Sequence, residues 1–269
     1  MMLTMRNFRS SALAVGAMVP LLGVEIGSAH SASPGITTPS FYVEYSHVEE
    51  ADVRNFIRST KMAKFSIEKY LDRRYDGRIP ISISNDHDFP HIDARIGQIV
   101  IPANRIRGDA KGPPGLKGRG TAIVAVMTKL IAPSRNQDWG KFLETGLGVY
   151  LQEKFGDKQD LSFPNMGRDL HRETSFLAAS FGRFIPLIKA ERERNVRKRL
   201  NRTRRLAHLE EGSFVRFLIE TDGIAKFLKF YDGASVEKVY ATNFRSLEQS
   251  WQQLIRSLTT EEIPTNNVY

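Results

Sequence analysis

The 269-residue chain has no cysteine, which excludes disulfide bonds and thiolate metal sites. It has no low-complexity tract and no internal repeat, so neither a disordered linker nor a repeat array is its main architecture. Beyond the N-terminal segment, no stretch is long and apolar enough to cross a bilayer. What remains is the composition of a folded soluble protein, 41% hydrophobic, with enough length to bury a core as one large domain or two small ones.

Negative charge is also scarce. Thirty Asp and Glu stand against 39 Lys and Arg, a formal net charge of +9. Much of the excess lies between Glu191 and Leu206, where Arg192, Arg194, Arg197, Lys198, Arg199, Arg202, Arg204 and Arg205 outnumber Glu191 and Glu193. Such a run is either a solvated helix face or an electrostatic contact for an anionic envelope surface, with Arg194, Arg197, Lys198, Arg199, Arg202 and Arg205 as its anion-binding candidates. It has no interleaved aromatics, so nucleic acid is not an expected partner. Val196, Leu200 and Leu206 form a weak apolar stripe that would also let it pack on the core.

The N-terminus carries Arg6 and Arg9, then an apolar stretch from Ser11 to Val24, then Gly27-Ser28-Ala29. This pattern predicts a secretory signal peptide over residues 1–29, cut near Ala29 with Ser31 and Ala32 as other sites, or else an uncleaved anchor. The mature chain is then exported, periplasmic or extracellular, where a domain of this size needs no disulfides. Residues 30–40 read as a flexible leader.

Phe41 to Tyr45 alternates as a half-buried strand, Val53 to Leu71 has helical spacing, and Ile79 to Ile83 reads as a strand in which Pro80 marks an edge or a start. Asp86 to Asp93 is dense in possible metal ligands (Asp86, His87, Asp88, His91, Asp93). His87 and His91 are four apart, but Pro90 disfavours a helix between them, so the segment reads as a polar loop. A further strand follows at Gln98 to Ile101. Arg107 to Gly120, rich in Gly and Pro, reads as an exposed loop. Its Gly118-Arg119-Gly120-Thr121 lacks the preceding strand and the Gly-Lys-Ser/Thr ending of a phosphate cradle.

The centre of the chain is Thr121 to Gln152. Thr121 to Ile131 is an apolar run whose single charge is Lys129, and Pro133 ends it as a helix. Asp138 is a candidate N-cap for a second helix with Phe142, Leu143, Leu147, Tyr150 and Leu151 on its period. Further helices are expected at Leu170 to Ser180, Phe184 to Leu206 (with Pro186 as start or kink), Ile224 to Tyr231 and Phe244 to Ile255. Residues 259–269 read as a tail.

The helix pair resembles the core of the gluzincin zinc metallopeptidases, the peptidase MA-like group. These carry His-Glu-x-Thr-His on one helix and Glu-Gly-Leu-Ala-x-Tyr-Leu on the next. Thr145-Gly146-Leu147-Gly148-Val149-Tyr150-Leu151 is similar to the second motif, and Gly212-Ser213-Phe214-Val215-Arg216-Phe217-Leu218 to a later helix of that family. The resemblance covers Phe41 to Leu258, a domain with an α/β half over 41–120 and a helical half over 121–258. It implies an α+β fold of thermolysin-like architecture: a small mixed sheet plus helix, then a mainly helical half.

The resemblance also implies a degenerate site. Ala125 and Lys129 stand where the histidines would be, Val126 in place of the general base, and Thr145 in place of the third ligand. A catalytic zinc needs three protein ligands and an open water position, and no metal, cofactor or catalytic residue is expected here. Lys129 either packs its stem and extends its ammonium to water, or pairs with Glu144 in the relict site. His47, His171 and His208 show no ligand or triad spacing. The function expected is that of an exported, non-catalytic pseudopeptidase holding a peptide or protein in the relict cleft. The alternatives are a metal-dependent hydrolase using a non-standard site such as Asp86 to Asp93, and a basic module for anionic envelope surfaces.

Overall fold

The computed structural model describes residues 34–86, 90–106, 121–156, 163–195 and 201–259. The signal peptide expected over 1–29, the Gly/Pro-rich loop over 107–120 and most of the C-terminal tail lie outside the described residues.

β1 (Gly35–Thr37) pairs antiparallel with β2 (Phe41–Tyr45), so the stretch expected as a leader includes an edge strand. The reason is the turn. Thr38 Oγ1 accepts from the Phe41 amide at 2.9 Å, and the Thr38 amide donates to the Phe41 carbonyl at 2.8 Å, a side-chain closure that hydrophobic patterning does not register. In β2, Phe41, Val43 and Tyr45 point inward and are buried. α1 (Glu50–Leu71) follows, with Val53, Phe56, Ala63, Ile67 and Leu71 on its buried stripe.

α1 is the crossover to β3 (Ile79–Ser84), which is parallel to β2. β3 is the middle strand of the sheet rather than an edge. Pairing with β5 (Gln98–Pro102) starts at Ile81, past Pro80, so the proline interrupts no ladder bond on that side and marks a strand start. β4 (His91–Asp93) lies antiparallel on β5 as the far edge, so the polar loop expected over 86–93 ends in a strand. The sheet order is β1-β2-β3-β5-β4, with mixed directions.

The rest is helical: α2 (Thr121–Ile131), α3 (Gly140–Phe155), α4 (Leu170–Phe181), α5 (Leu187–Asn195), α6 (Asn201–Asp222), α7 (Ile224–Tyr231), α8 (Val236–Tyr240) and α9 (Phe244–Thr259). The fold is therefore α+β, with a small mixed sheet and mostly helical content. Among the described residues no helix is long and apolar enough to cross a membrane.

Two expectations change. The helix expected over Phe184 to Leu206 is divided between α5 and α6, with residues 196–200 outside the described set, and α6 continues as one helix through Gly212. Pro186 directly precedes α5, where a missing amide costs nothing. Asp138 is exposed and does not cap α3. α3 has no side-chain cap; Asn136 closes the turn before it, its Oδ1 accepting from the amides of Asp138 at 3.1 Å and Trp139 at 2.9 Å.

α3 packs between α2 and α6, and glycine sets the spacing. A Cβ on Gly146 would lie 2.5 Å from the Glu211 carbonyl oxygen, and one on Gly148 would lie 2.9 Å from the Ala125 carbonyl oxygen. Both obstacles are backbone, which cannot rotate away. The turn from α2 into α3 is held by the C-terminal half: Tyr231 Oη donates to the Ala132 carbonyl at 2.6 Å, Ser134 Oγ to the Tyr231 carbonyl at 2.8 Å, and Asn136 Nδ2 to the Phe230 carbonyl at 2.9 Å.

Gly146→Ala and Gly148→Ala should each lower stability by about 1–3 kcal/mol, because overpacking outweighs the roughly 1 kcal/mol that alanine gains in a helix. Urea unfolding of the purified variants checks this, and an unchanged or raised midpoint would contradict the close packing.

Candidate functional site

α2 has one open stripe. Ile123, Val124, Met127, Thr128 and Ile131 are buried, while Ala125, Val126, Lys129 and Leu130 are half-buried. Facing it, α3 presents Thr145, Val149 and Gln152, which fall on one side at i, i+4 and i+7. Ala125, Val126, Lys129 and these three line a cleft of about 420 Å³. The positions singled out in the sequence, Ala125, Val126, Lys129 and Thr145, are thus brought together.

Lys129 runs its stem along this stripe, and its Nζ lies 3.5 Å from Thr145 Oγ1. Glu144 is turned elsewhere, as a step of about 100° per residue requires. Its Oε1 accepts from the Ser134 amide at 2.9 Å, below the turn into α3. The Lys129–Glu144 pairing is therefore replaced by Lys129 facing Thr145, with Glu144 serving the turn.

The opposite wall is Phe163 and Pro164. Gln152 Nε2 donates to the Phe163 carbonyl at 2.8 Å, and Arg205 Nε to the Pro164 carbonyl at 2.7 Å. Arg205 Nη2 also bonds the buried carboxylate of Glu173, which Arg168 Nη1 reaches at 3.0 Å. Arg205 is therefore a clamp for the wall as well as part of the lining. Arg202 and Arg204 stand exposed beside it at the start of α6, and half-buried Arg105 completes the rim. His208 lines the same cleft, edge-on to Phe163 with ring centroids 5.1 Å apart. Of the other anion-binding candidates, Arg197, Lys198 and Arg199 lie outside the described residues, as does the side chain of Arg194.

The second candidate, residues 86–93, is not assembled into a site by the described residues. His91 sits in edge strand β4, and the Asp93 carboxylate is held by Arg95 at 2.9 and 3.2 Å, whose guanidinium keeps it ionised down to about pH 2. Residues 87–89, including His87 and Asp88, lie outside the described residues.

The donor set at the helix pair does not fit zinc. Ala125 offers a methyl, Val126 an isopropyl, Lys129 an ammonium and Thr145 a neutral hydroxyl, where zinc needs nitrogen, sulfur or carboxylate donors. The chemistry available is electrostatic attraction and hydrogen-bond donation from Lys129 and Thr145, between apolar walls.

Among solved structures, the chain is similar to the M1 zinc metallopeptidase from Deinococcus radiodurans, with 12% identity and a TM-score of 0.40, and to a mutant of it, with 13% and 0.39. Each alignment covers 86% of this chain and 52% of the metallopeptidase, so the chain spans about half the length of these structures. A likeness this distant decides neither family nor activity. No protein-family profile and no curated protein sequence matches the chain.

One polar cluster had no signal in the spacing of the histidines. His171 is buried under α6, with its Nδ1 2.8 Å from Ser213 Oγ, which also accepts from Trp251 Nε1 at 2.9 Å. On its other side Nε2 lies 3.6 Å from Glu220 Oε2. We assign the ring proton to Nε2, facing the carboxylate, so that Nδ1 accepts from Ser213. Serine, histidine and carboxylate meet here as they do in hydrolases, but Ser213 is fully buried and no substrate reaches it. The serine and histidine instead join α4, α6 and α9.

Burial, together with the nearby Arg216, lowers the His171 pKa to about 4, so the folded protein keeps the ring neutral while the unfolded chain protonates below about 6.5. Its stabilising contribution is full above the unfolded value and is lost as pH falls from there through about 4. Relative to wild type, His171→Gln should remove on the order of 2 kcal/mol of pH-dependent stability in that window. Parallel urea titrations at a series of pH values check this; identical slopes would show that the ring is not held neutral.

Proposed function

We propose that the protein is an exported, non-catalytic relative of the gluzincin metallopeptidases that holds a peptide or protein segment in the relict cleft. One observation carries the reading: Ala125, Val126, Lys129 and Thr145, the positions that the resemblance matches to such an enzyme's ligands and base, lie on the walls of one open cleft and carry side chains whose donor atoms do not suit zinc. The approach of the two helices through Gly148, within the segment most similar to the family, further supports a retained scaffold of thermolysin-like type. Ligand clefts of this volume, apolar with a few convergent polar groups, are ordinary for small segments. The basic, apolar and small-residue succession over residues 6–29 supports export.

The scaffold reading is tested by putting the chemistry back. The combined variant Ala125→His, Val126→Glu, Lys129→His and Thr145→Glu should bind one zinc per chain after gel filtration, while the wild type retains far less than one. A folded variant that binds no zinc would overturn the relation, as would a wild type that holds stoichiometric zinc lost on Thr145→Ala. For export, N-terminal sequencing should find the mature chain beginning at or near His30; an intact Met1 on exported protein would overturn cleavage.

A further inference from the structure

α1 carries apolar residues that the core does not use. Its buried stripe, Val53, Phe56, Ala63, Ile67 and Leu71, faces inward. Met62 and Phe65 lie off that stripe and are 63% and 61% exposed. They share one line along the helix with three exposed cations: Arg58, Lys61, Met62, Phe65 and Lys69 stand at i, i+3, i+4, i+7 and i+11. At a rise of 1.5 Å per residue the line is about 16 Å long. No Asp or Glu is among the exposed residues of α1 from Arg54 to Lys69. On the helix itself Glu50 holds Arg54 at 2.6 Å and Glu68 holds Lys64 at 2.5 Å, whereas no ion pair among the described residues takes up Arg58, Lys61 or Lys69.

We propose that this outer face of α1 docks the protein on a bilayer surface carrying anionic headgroups. Met62 and Phe65 enter the boundary between headgroups and acyl chains, while Arg58, Lys61 and Lys69 meet lipid phosphates. This surface is distinct from the basic run between Glu191 and Leu206, and its docking is independent of what the cleft holds.

Three features select this occupant. Single exposed apolar side chains are ordinary on a protein surface, but two of them one turn apart, bracketed by cations on the same line, form the face of a helix that rests on anionic lipid. The long stems of Arg58, Lys61 and Lys69 let their charged heads stay with the phosphates while Met62 and Phe65 go deeper. The face is a convex ridge, which a protein partner could accept only with pockets already shaped for both side chains, whereas a lipid surface yields around them. A nucleic acid would lay hydrated phosphates against Met62 and find one ring, Phe65, on which to stack.

The chain has no cysteine, so one introduced cysteine places one label at a known position. The full chain with Met62→Cys is labelled with an NBD fluorophore, whose emission moves to the blue in an apolar medium. Phe176→Cys, at an exposed position of α4, which packs on α6 and α9, gives the comparison site. Vesicles of phosphatidylglycerol and phosphatidylcholine in equal parts should shift the emission at position 62 and leave that at 176 nearly unchanged. Pure phosphatidylcholine should give little shift. Each cation near such a surface counts roughly fivefold, so Arg58→Gln, Lys61→Gln and Lys69→Gln together should raise the lipid needed for half the shift by about a hundredfold. Added salt should act in the same direction. Phe65→Ser should weaken the shift while circular dichroism stays unchanged. No shift at 62, an equal shift at 62 and 176, an equal shift on pure phosphatidylcholine, or a midpoint unmoved by the triple substitution would overturn the proposal. A shift with duplex DNA or polyglutamate and none with vesicles would assign the face to a soluble polyanion and overturn it as well.

Discussion

Helix α3 is held at backbone contact on both sides, and the rest of the helical half is arranged around that fact. Gly146 lets the Glu211 carbonyl of α6 approach, and Gly148 does the same for the Ala125 carbonyl of α2. Two partners at this distance leave α3 little freedom to rotate about its axis. Its remaining stripe, Thr145, Val149 and Gln152, therefore has one direction to face, and that direction is the cleft. The same constraint explains why Thr145 meets Lys129 while Glu144, one residue earlier, is taken up by the Ser134 amide.

Electrostatics then sets what such a cleft is suited to. A metal site of the resembled kind concentrates a divalent charge at a point and surrounds it with donors. Among the described lining residues the charge is spread over side chains: the Lys129 ammonium at the centre and guanidinium groups at the rim. Fixed cations attract and orient anionic groups, but they do not activate water in the way a bound metal does. Several described acidic side chains are used structurally. Glu173 ties Arg205 and Arg168, and Glu153, Asp169 and Glu220 gather around Arg216.

Elements with strong periodicity were legible before any coordinates: β2, α1, α2, α3, α7 and α9 lie where apolar spacing put them. Those set by side-chain closure or by partners distant in sequence were not. β1 depends on Thr38 closing a turn, β4 on a neighbouring strand, and the turn that leads into α3 on Asn136 rather than Asp138. At the site, Ala125, Val126, Lys129 and Thr145 were grouped by the resemblance of the two helices to the metallopeptidase motifs, and they line one cleft. Arg202, Arg205 and His208 could not be placed there, because their convergence on the cleft depends on how α6 crosses α3. Ser213 likewise meets His171 and Trp251 only through packing of α4, α6 and α9, and these separations of 42 and 38 residues carry no periodic signal.

The bonds that fasten the α2–α3 turn carry a consequence for how the molecule comes to exist. Tyr231 to Ala132, Ser134 to Tyr231 and Asn136 to Phe230 span 94 to 99 residues of sequence. During synthesis the apolar hairpin of α2 and α3 is made long before the residues that pin it, and loop closure over such distances is slow relative to local helix formation. The cleft is thus among the last parts to acquire its final geometry. A chain shortened before α7 would keep every residue of α2 and α3 and still lack the fastening that orients them, so the geometry of the cleft and completion of the C-terminal half are acquired together.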